Sequence, residues 1–339
     1  MPHRRLPAEW EPQSMVQLTF PHADTDWADH LETVMPCFLE IAAVISRFQP
    51  VLIVCRDAAS LRPLLRGNAD RIHLLEVMSN DTWARDHGAI TIMEEHRPVL
   101  IDFVFNGWGL KFPAHLDNLI TRSIFQTGIW NAEIRHGGLV LEGGGIESDG
   151  AGTLLTTAEC LLSPNRNPHL TKFDIEARLQ DLFGVKQVLW LNHGYLAGDD
   201  TDSHIDTLAR FCDPQTIAYV KCDDPDDEHF EALEKMEAEL QSFRDLNGNP
   251  YHLVPLPWPD AHYDETGQRL PATYANFLVI NGAVLVPTYA SPQDEAALQI
   301  FQKLFPDRQV IGIDCNPLIL QHGSLHCVTM QYPAAVKVT

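Results

Sequence analysis

A helix followed by a short apolar strand recurs five times along the 339 residues of this chain. In each unit the helical segment carries apolar side chains three and four residues apart, and the strand is a short apolar run. The helices are predicted at about 27–48, 116–125, 174–183, 227–246 and 293–305, and the strands at 51–55, 132–135, 185–191, 251–256 and 309–314. Repeated units of one kind favour a closed, radially repeated α/β fold, with an open doubly wound sheet as the alternative.

Further strands are predicted between these units. One apolar pair, Phe277 to Pro287, carries Asn281-Gly282 at its centre, the usual sequence of a two-residue hairpin turn. No low-complexity segment and no linker rich in Gly, Ser and Pro divides the chain, so we expect one domain over residues 1–339. The 45% hydrophobic content is enough for a sizeable core.

Acidic residues strongly outnumber basic ones, with 46 Asp and Glu against 24 Lys and Arg and a formal net charge of −22. This balance argues against nucleic acid or an anionic membrane surface as a partner, because both would repel the chain. It favours a cationic ligand wherever the acids gather at one site, whereas solubility explains most of the charges equally well.

The seven cysteines are odd in number, scattered and without a C-x-x-C pair, at positions 37, 55, 160, 212, 222, 315 and 327. Neither a disulfide framework nor a zinc ribbon is indicated, and reduced thiols fit a reducing compartment. The N-terminal residues do not resemble a signal peptide, and no apolar run reaches the roughly 18 residues of a membrane span. We therefore expect a cytoplasmic protein.

Polar segments rich in acids, His or Gly follow four of the five units, at 80–88, 141–147, 198–206 and 321–331. Equivalent positions of a radially repeated fold converge on its axis. The sequence therefore predicts one site assembled from four segments that are far apart along the chain.

In the third segment His204 and Asp206 are two residues apart, so on a strand their side chains would share one face. An imidazole beside a carboxylate suits acid–base chemistry near neutral pH. The alternatives are a metal pair, such as a zinc site completed by Cys327, and a solvated surface turn.

Two further segments place an acid beside glycine or an aromatic ring. Glu142 precedes three glycines, 143–145, where the backbone can approach a ligand closely, and the alternative is a charged residue at a glycine-rich bend. Asp86 lies three residues after Trp83, and a carboxylate beside an aromatic face suits a cation with an apolar stem. Alternatively, Asp86 pairs with Arg85 and Trp83 belongs to the core.

Cys327 is the candidate nucleophile. It follows a Gly-Ser pair at 323–324, and a strand entered through that turn would present the sulfur at its exposed tip. Neighbours on a strand point to opposite faces, so we expect His326 to face away from the sulfur and His204 to be the working imidazole. Several acids around one Cys and one His suit a guanidinium, which is planar, permanently charged and matched to carboxylates. Its carbon is open to attack by a thiolate.

Seven motifs follow one another along the chain: Pro7-Ala8-Glu9-Trp10-Glu11-Pro12, Asn80-Asp81-x-Trp83-x-Arg85-Asp86-x-Gly88, Phe105-Asn106-Gly107-Trp108-Gly109-x-Lys111, Glu142-Gly143-Gly144, Asn165-Arg166-Asn167-Pro168, Gly198-Asp199-Asp200-Thr201-Asp202-x-His204-x-Asp206 and His326-Cys327-x-Thr329. From end to end the chain resembles agmatine deiminases and the related bacterial (Porphyromonas-type) peptidylarginine deiminases. The resemblance implies the five-bladed, pseudo-symmetric α/β propeller (pentein) of guanidino-group-modifying enzymes, with no cofactor and no metal.

The resemblance also implies roles for individual residues. These are Cys327 as nucleophile, His204 as proton carrier, Asp86 and Asp206 as the grip on the guanidinium, Glu142 as a further guanidinium ligand that orients His204, and Trp83 as a wall of the substrate channel. The implied reaction converts agmatine into N-carbamoylputrescine and ammonia through a covalent thiouronium intermediate, with Asp200 or Asp202 meeting the distal amine. The alternatives are a peptidylarginine deiminase that produces citrulline and a zinc-dependent hydrolase; an assembly of identical subunits is left open.

Two expectations concern the surroundings of Cys327. A ring of carboxylates should raise the pKa of the thiol in the empty site, so the thiolate would form mainly once a cation is bound. The segment 322–325 departs from many agmatine deiminases, in which a longer Gly-rich run with an Asn precedes the His-Cys pair, and it borders the predicted site.

Overall fold

The computed structural model describes residues 3–338 as alternating strands and helices. The helices are α1 Leu31–Ser46, α2 Ala58–Leu61, α3 Ala84–His87, α4 Gly107–Leu110, α5 Asp117–Gln126, α6 Ala158–Leu161, α7 Lys172–Phe183, α8 Phe230–Ser242, α9 Asp294–Leu304 and α10 Asn316–Ile319. The strands are β1 Arg4–Arg5, β2 Gln13–Thr19, β3 Val51–Cys55, β4 Ile72–Glu76, β5 Ile90–Glu94, β6 Arg97–Val104, β7 Trp130–Asn131, β8 Glu133–Val140, β9 Ile146–Ser148, β10 Thr153–Thr157, β11 Gln187–Leu191, β12 Ala209–Asp213, β13 Thr216–Val220, β14 His252–Leu256, β15 His262–Tyr263, β16 Arg269–Leu270, β17 Leu278–Ile280, β18 Ala283–Thr288, β19 Gln309–Asp314, β20 Thr329–Pro333 and β21 Lys337–Val338. Short 3₁₀ helices occupy Ala28–His30, Arg62–Leu64, Ala69–Arg71, Gly143–Gly145 and Ile205–Thr207.

Five of the seven sheets formed by the described residues share one arrangement, an antiparallel pair extended by a parallel strand. The antiparallel pairs are β20–β2, β5–β6, β9–β10, β12–β13 and β17–β18. The parallel additions, reached through α1, α5, α7, α8 and α9, are β3, β8, β11, β14 and β19. These crossovers are the helix-strand units predicted from the sequence. Because the strands divide among separate sheets, the open doubly wound sheet is wrong.

The predicted elements are present with shifted ends. The bounds of β3 and β19 agree with the prediction, whereas α8 ends at Ser242 because Phe243 adopts extended backbone (φ −68°, ψ 150°). The hairpin is confirmed, since Ile280 pairs with Ala283 across a two-residue turn. Gly282 takes φ +72° there, a left-handed conformation that glycine adopts without steric cost.

The helices cover the sheets with apolar faces. In α1, the side chains of Val34, Phe38, Ile41 and Ile45 recur at helical spacing and are fully buried, and β3 is buried along its whole length. Each such side chain contributes about 1.5–3 kcal/mol through burial. Within residues 3–338, no helix has both the length and the apolar character needed to cross a membrane.

The four polar segments all lie in connections that lead from one sheet to the next. They follow β4, β8, β11 and α10, and they lead into β5, β9, β12 and β20. The sheets and helices therefore form the rigid frame, and the connections between them carry the polar side chains.

Candidate active site

Residues from three of the polar segments line one cavity of about 130 Å³. Its acidic lining residues are Asp26, Asp81, Asp86 and Asp200, and its wall includes Trp83, Trp108 and Cys327. The fourth segment, 141–147, contacts a residue of the cavity wall, because the backbone N–H of Gly144 donates to Asp86 Oδ1 at 3.0 Å. All four segments are therefore brought together.

Cys327 lies in a turn directly before β20 and not on the strand tip that was expected. Asn276 holds this turn, because its Oδ1 accepts from the backbone N–H groups of His326 at 2.8 Å and Cys327 at 3.3 Å. The sulfur lies 3.4 Å from the same Oδ1 and 3.9 Å from Asp206 Oδ2. A nucleophile is thus fixed beside a carboxylate.

The pKa of Cys327 is raised well above that of an ordinary thiol. Burial is the largest cause, and the negative charges of Asp206 and Asp86 add to it. The neighbouring carboxylates therefore act in the expected direction, but burial is the larger cause.

Asp86 lies in α3 with both carboxylate oxygens facing donors. In addition to the Gly144 bond, its Oδ2 accepts from the indole Nε1 of Trp108 at 2.9 Å. Burial, followed by the charges of Asp206 and Glu142, raises the pKa of Asp86 well above its ordinary value. The group is costly to ionise until a cation arrives.

Gly144 marks the point where three predicted site residues converge. A Cβ atom there would lie 2.5 Å from His204 Nδ1, 3.0 Å from Asp86 Oδ1 and 3.1 Å from Asp206 Oδ2. Any larger residue would therefore occupy the space between the imidazole and the two carboxylates.

His204 precedes the 3₁₀ helix Ile205–Thr207, so the expectation of a strand across His204 and Asp206 is wrong. The two side chains nevertheless converge beside Gly144, because the 3₁₀ turn brings them to the same side. The imidazole is fully buried, and neither ring nitrogen has a hydrogen-bond partner among the described residues. Burial lowers the pKa of His204 to about 3, so the free ring is neutral at pH 7.

Asp206 is fully buried, and its Oδ2 faces His326 Nδ1 at 2.7 Å. Its Oδ1 has no partner among the described residues. Burial raises the pKa of Asp206, but the hydrogen bond and charge of His326 outweigh it and leave the pKa lowered. Asp206 is therefore the carboxylate that stays ionised, in contrast to Asp86.

Glu142 does not line the cavity, because Arg166 takes both of its oxygens. Arg166 Nε donates to Glu142 Oε1 at 3.0 Å and to Oε2 at 2.9 Å, and both side chains are fully buried. The same guanidinium donates to Asp202 Oδ2 at 2.6 Å, and Lys111 Nζ donates to Asp202 Oδ1 at 2.6 Å. Asp202 is thus neutralised by two cations, whereas Asp200 lies in the cavity wall.

Trp83 lines the cavity and donates through Nε1 to Asp81 Oδ2 at 3.0 Å. Its ring packs against Gly323 so closely that a Cβ at that position would overlap it. The glycine in the segment where this chain departs from many agmatine deiminases therefore makes room for the tryptophan.

The zinc set considered as an alternative in the sequence analysis, His204, Asp206 and Cys327, is not the set of described residues whose donor atoms converge. Among the described residues, atoms of Glu142, Cys160 and His204 lie within 4.8 Å of one another. Both oxygens of Glu142 are already occupied by Arg166, whose positive charge opposes a metal ion. The residues present do not fit a zinc centre.

Four residues were not assigned roles from the sequence. Glu9, Trp108 and Arg166 stand in motifs that carried the family resemblance, which was the available signal. Asn276 precedes the hairpin strand β17 with no distinguishing pattern, so only the folded arrangement reveals it.

Comparison with known proteins agrees with this geometry. Residues 5–333 match the family model for Porphyromonas-type peptidyl-arginine deiminase. Agmatine deiminase of Pseudomonas aeruginosa (strain LESB58) is 32% identical, over 98% of this chain and 96% of that protein. Two solved structures superimpose closely. A Porphyromonas gingivalis protein provisionally described as an arginine deiminase has a TM-score of 0.95 and 54% identity, covering 98% of this chain and 99% of that one. A Cys-to-Ser variant of C. jejuni agmatine deiminase with substrate bound has a TM-score of 0.93 and 39% identity, covering 98% and 97%.

The family model spans nearly the whole chain, and the curated relative exceeds 30% identity over almost its full length. Four of the seven motifs that suggested the resemblance contribute side chains to the cavity that Cys327 lines, and a fifth contributes the backbone N–H of Gly144. This chain belongs to the Porphyromonas-type peptidyl-arginine deiminase family.

Proposed function

We propose that this chain is a cysteine-dependent deiminase that hydrolyses the guanidinium of agmatine to N-carbamoylputrescine and ammonia. The observation that carries this proposal is the placement of Cys327 Sγ beside Asp206, with Asp86 in the same cavity. At their junction lies His204, whose ring nitrogens have no hydrogen-bond partner among the described residues. Relatives at 32% identity and a substrate-bound structure at 39% identity are agmatine deiminases, which supports the same reaction.

In the first half-reaction, Asp86 and Asp206 bind the guanidinium through charge-assisted hydrogen bonds. Cys327 passes its proton to His204, and the sulfur bonds to the guanidinium carbon. His204 then protonates one amino group, the carbon–nitrogen bond breaks, and ammonia departs. A thiouronium remains bonded to Cys327. A neutral His204 is the form able to accept the first proton.

In the second half-reaction, water gives a proton to His204 as its oxygen bonds to the thiouronium carbon. The carbon–sulfur bond then breaks, and the proton on His204 returns to the sulfur of Cys327. The hydroxyl group of the intermediate loses its proton to solvent, where it converts the released ammonia into ammonium, and the neutral ureido product leaves. Glu142 acts indirectly, on His204. Arg166 binds both of its oxygens, and its carboxylate lies within 4.8 Å of His204. We assign it to supporting His204 and not to binding the guanidinium directly.

The cavity wall favours a substrate that is cationic at both ends. Beyond Asp86 it presents the acids Asp26, Asp81 and Asp200, and none of the described residues that line it is Lys or Arg. The carboxylate of free arginine would therefore meet acids without a cationic partner, whereas the distal amine of agmatine would meet carboxylates. Asp200 is retained as a candidate for that amine, and Asp202 is not, because Lys111 and Arg166 occupy it.

The test is a comparison of ammonia release by the native chain and by Cys327→Ala. We expect the substitution to abolish turnover of agmatine, because no other group in the cavity wall can form the covalent intermediate. Turnover that survives in Cys327→Ala would overturn the proposal.

A second assay measures the ureido product from agmatine, free arginine and an arginine-containing peptide. We expect agmatine to be preferred, because only its distal amine complements the three acids. Product formed from the peptide alone would select the peptidylarginine alternative, in which citrulline is made.

We also propose an architecture and a cellular location for this protein. Five sheets with one strand arrangement support a five-bladed, pseudo-symmetric α/β propeller that forms a single catalytic domain over residues 1–339. The reaction balances with the chain's own groups and water, so we propose that it needs no cofactor. All seven cysteines are free thiols, which supports the cytoplasm as its location.

A further inference from the structure

His326 lies next to the nucleophile in sequence but contacts two carboxylates instead of the sulfur. Its Nδ1 is 2.7 Å from Asp206 Oδ2, and its Nε2 is 2.6 Å from Glu9 Oε2. The side chain is 2% exposed, and Asn276 accepts a hydrogen bond from the backbone N–H of His326. The ring therefore links the active-site carboxylate to a residue 317 positions away in sequence.

Glu9 is itself anchored on every side. Its Oε2 accepts from Arg210 Nη2 at 2.9 Å, and Arg85 Nη2 lies at 3.7 Å. Its Oε1 accepts from the backbone N–H of Val279 at 2.7 Å. A buried carboxylate held by two cations and a backbone donor does not rotate freely, so it provides a fixed point for His326.

Both ring nitrogens of His326 face carboxylate oxygens at hydrogen-bond distance, so each contact requires a proton. Burial and the cations Arg210 and Arg85 lower the pKa of His326, while Glu9 and Asp206 raise it. Both distances, 2.7 Å to Asp206 and 2.6 Å to Glu9, are those of hydrogen bonds. Asp206 Oδ2 is thereby engaged, and Oδ1 is left without a partner among the described residues.

We infer that His326, clamped by Glu9, is a positioning residue that fixes the orientation of the Asp206 carboxylate for the guanidinium. This inference rests on the proposed deiminase function. Without the clamp, Asp206 is free to rotate beside Cys327, and its hydrogen bonds to the substrate lose their direction. His326 touches neither the sulfur nor the substrate, so its effect passes through Asp206.

Two substitutions at the same position separate the two contacts. His326→Asn keeps a donor near the place of Nδ1 and so retains the bond to Asp206, whereas His326→Gln keeps a donor near Nε2 and retains only the bond to Glu9. We expect His326→Gln to lower kcat/KM for agmatine by about 10- to 100-fold, the value of a hydrogen bond to a charged group. His326→Asn should keep at least about tenfold more activity than His326→Gln.

Glu147 provides the matched control for Glu9. It is also a buried carboxylate paired with Arg210, at 2.7 Å, but its other partner is the backbone N–H of Phe211 and not His326. Assays are run at pH 8 to favour the ionised form of Glu147, because burial raises its pKa. Glu9→Gln should lower the unfolding temperature, because the pKa of Glu9 is lowered, whereas Glu147→Gln should not, because the pKa of Glu147 is raised. Only Glu9→Gln should raise KM and lower kcat.

Thermal unfolding and steady-state kinetics of all four variants decide the matter. Equal activity of His326→Asn and His326→Gln, or equal losses of activity in Glu9→Gln and Glu147→Gln, would show a structural role and overturn the inference. Failure of the native chain to release ammonia from agmatine would instead defeat the proposed function. The native measurement keeps the two failures apart.

Discussion

At the scale of single residues, the site is a set of groups held in protonation states that are unfavourable without a ligand. Cys327 is buried beside Asp206 and Asp86, which disfavours its thiolate, and Asp86 is buried beside other acids, which disfavours its carboxylate. A guanidinium reverses both penalties, because it brings the positive charge that the cavity wall does not supply.

The first residue-scale prediction concerns the thiol of Cys327. In the free enzyme its raised pKa should keep it protonated across pH 7–9, and a bound guanidino ligand should lower the pKa. Thiolate absorbance in the ultraviolet, titrated with and without the ligand and corrected with Cys327→Ala, measures this. A thiol that is already ionised at neutral pH in the free enzyme would contradict the prediction.

The second concerns Asp86→Asn. Because the pKa of Asp86 is raised from 3.8, the folded state holds the proton more tightly than the unfolded chain, and stability is lost as pH rises through the folded pKa. The amide cannot ionise, so this part of the pH dependence should disappear, and the unfolding temperature at pH 8 should exceed that of the native chain. Calorimetry from pH 5 to 8 checks the shift.

Activity of the same variant should fall by at least about 100-fold, because a charge-assisted contact to the guanidinium is lost. The matched control is Asp202→Asn, which removes a carboxylate that two cations neutralise outside the cavity. It should lower the unfolding temperature instead of raising it. A lower unfolding temperature for Asp86→Asn would show that the Asp86 charge stabilises the empty site.

At the scale of elements, short 3₁₀ helices and turns between the regular helices and strands position the reactive groups. The 3₁₀ helix Gly143–Gly145 presses against the site residues, and the turn that holds Cys327 accepts from the backbone N–H of Arg85 in α3 at 3.1 Å. These pieces derive little stability from their own hydrogen bonds, so the surrounding sheets determine their positions.

The element-scale prediction is made for Gly144→Ala. The added methyl would lie between His204, Asp86 and Asp206, so activity should fall by at least about 100-fold as these groups are pushed apart. Gly312→Ala on β19 is the control, since the atoms nearest its Cβ would be side-chain atoms of Thr288, at 3.0 Å, and Leu298, at 3.7 Å, away from the site. Ammonia release measures both variants, and full activity of Gly144→Ala would contradict the placement of the site.

At the scale of the whole molecule, the site is assembled where the two ends of the chain meet. Strand β20, which follows Cys327, pairs with β2, which follows Glu9, and β2 continues to β3. These pairings between distant segments therefore position Cys327, the carboxylates beside it and Glu9. Ligand binding should therefore raise the free energy of unfolding of the entire fold.

The whole-molecule prediction is a shift in thermal unfolding of Cys327→Ala, which binds without turnover. Agmatine at 100 times its Kd should stabilise the fold by about 2.7 kcal/mol, raising the unfolding temperature. The control is 1,4-diaminobutane, which has the distal amine but no guanidinium, and it should shift the temperature much less. Equal shifts from both compounds would show that the guanidinium is not what the acids bind.

The sequence by itself determined the repeating units and the reactive groups. Helical spacing, short apolar runs and Asn281-Gly282 located the elements, because these patterns arise from local periodicity and turn geometry. Ordered motifs also identified Cys327, His204, Asp86 and Asp206, whose types are dictated by guanidinium chemistry. Their catalytic roles stay predictions that the variants above test.

Only the tertiary structure decided which acids are free and which are paired. Asp202 and Glu142 look as available in the sequence as Asp86, but Lys111 and Arg166 neutralise Asp202, and Arg166 alone occupies Glu142. The Glu9–His326 contact and the turn held by Asn276 join positions 317 and 51 residues apart. Partners of buried charges are chosen by the packing of distant segments, and local sequence patterns carry no record of that choice.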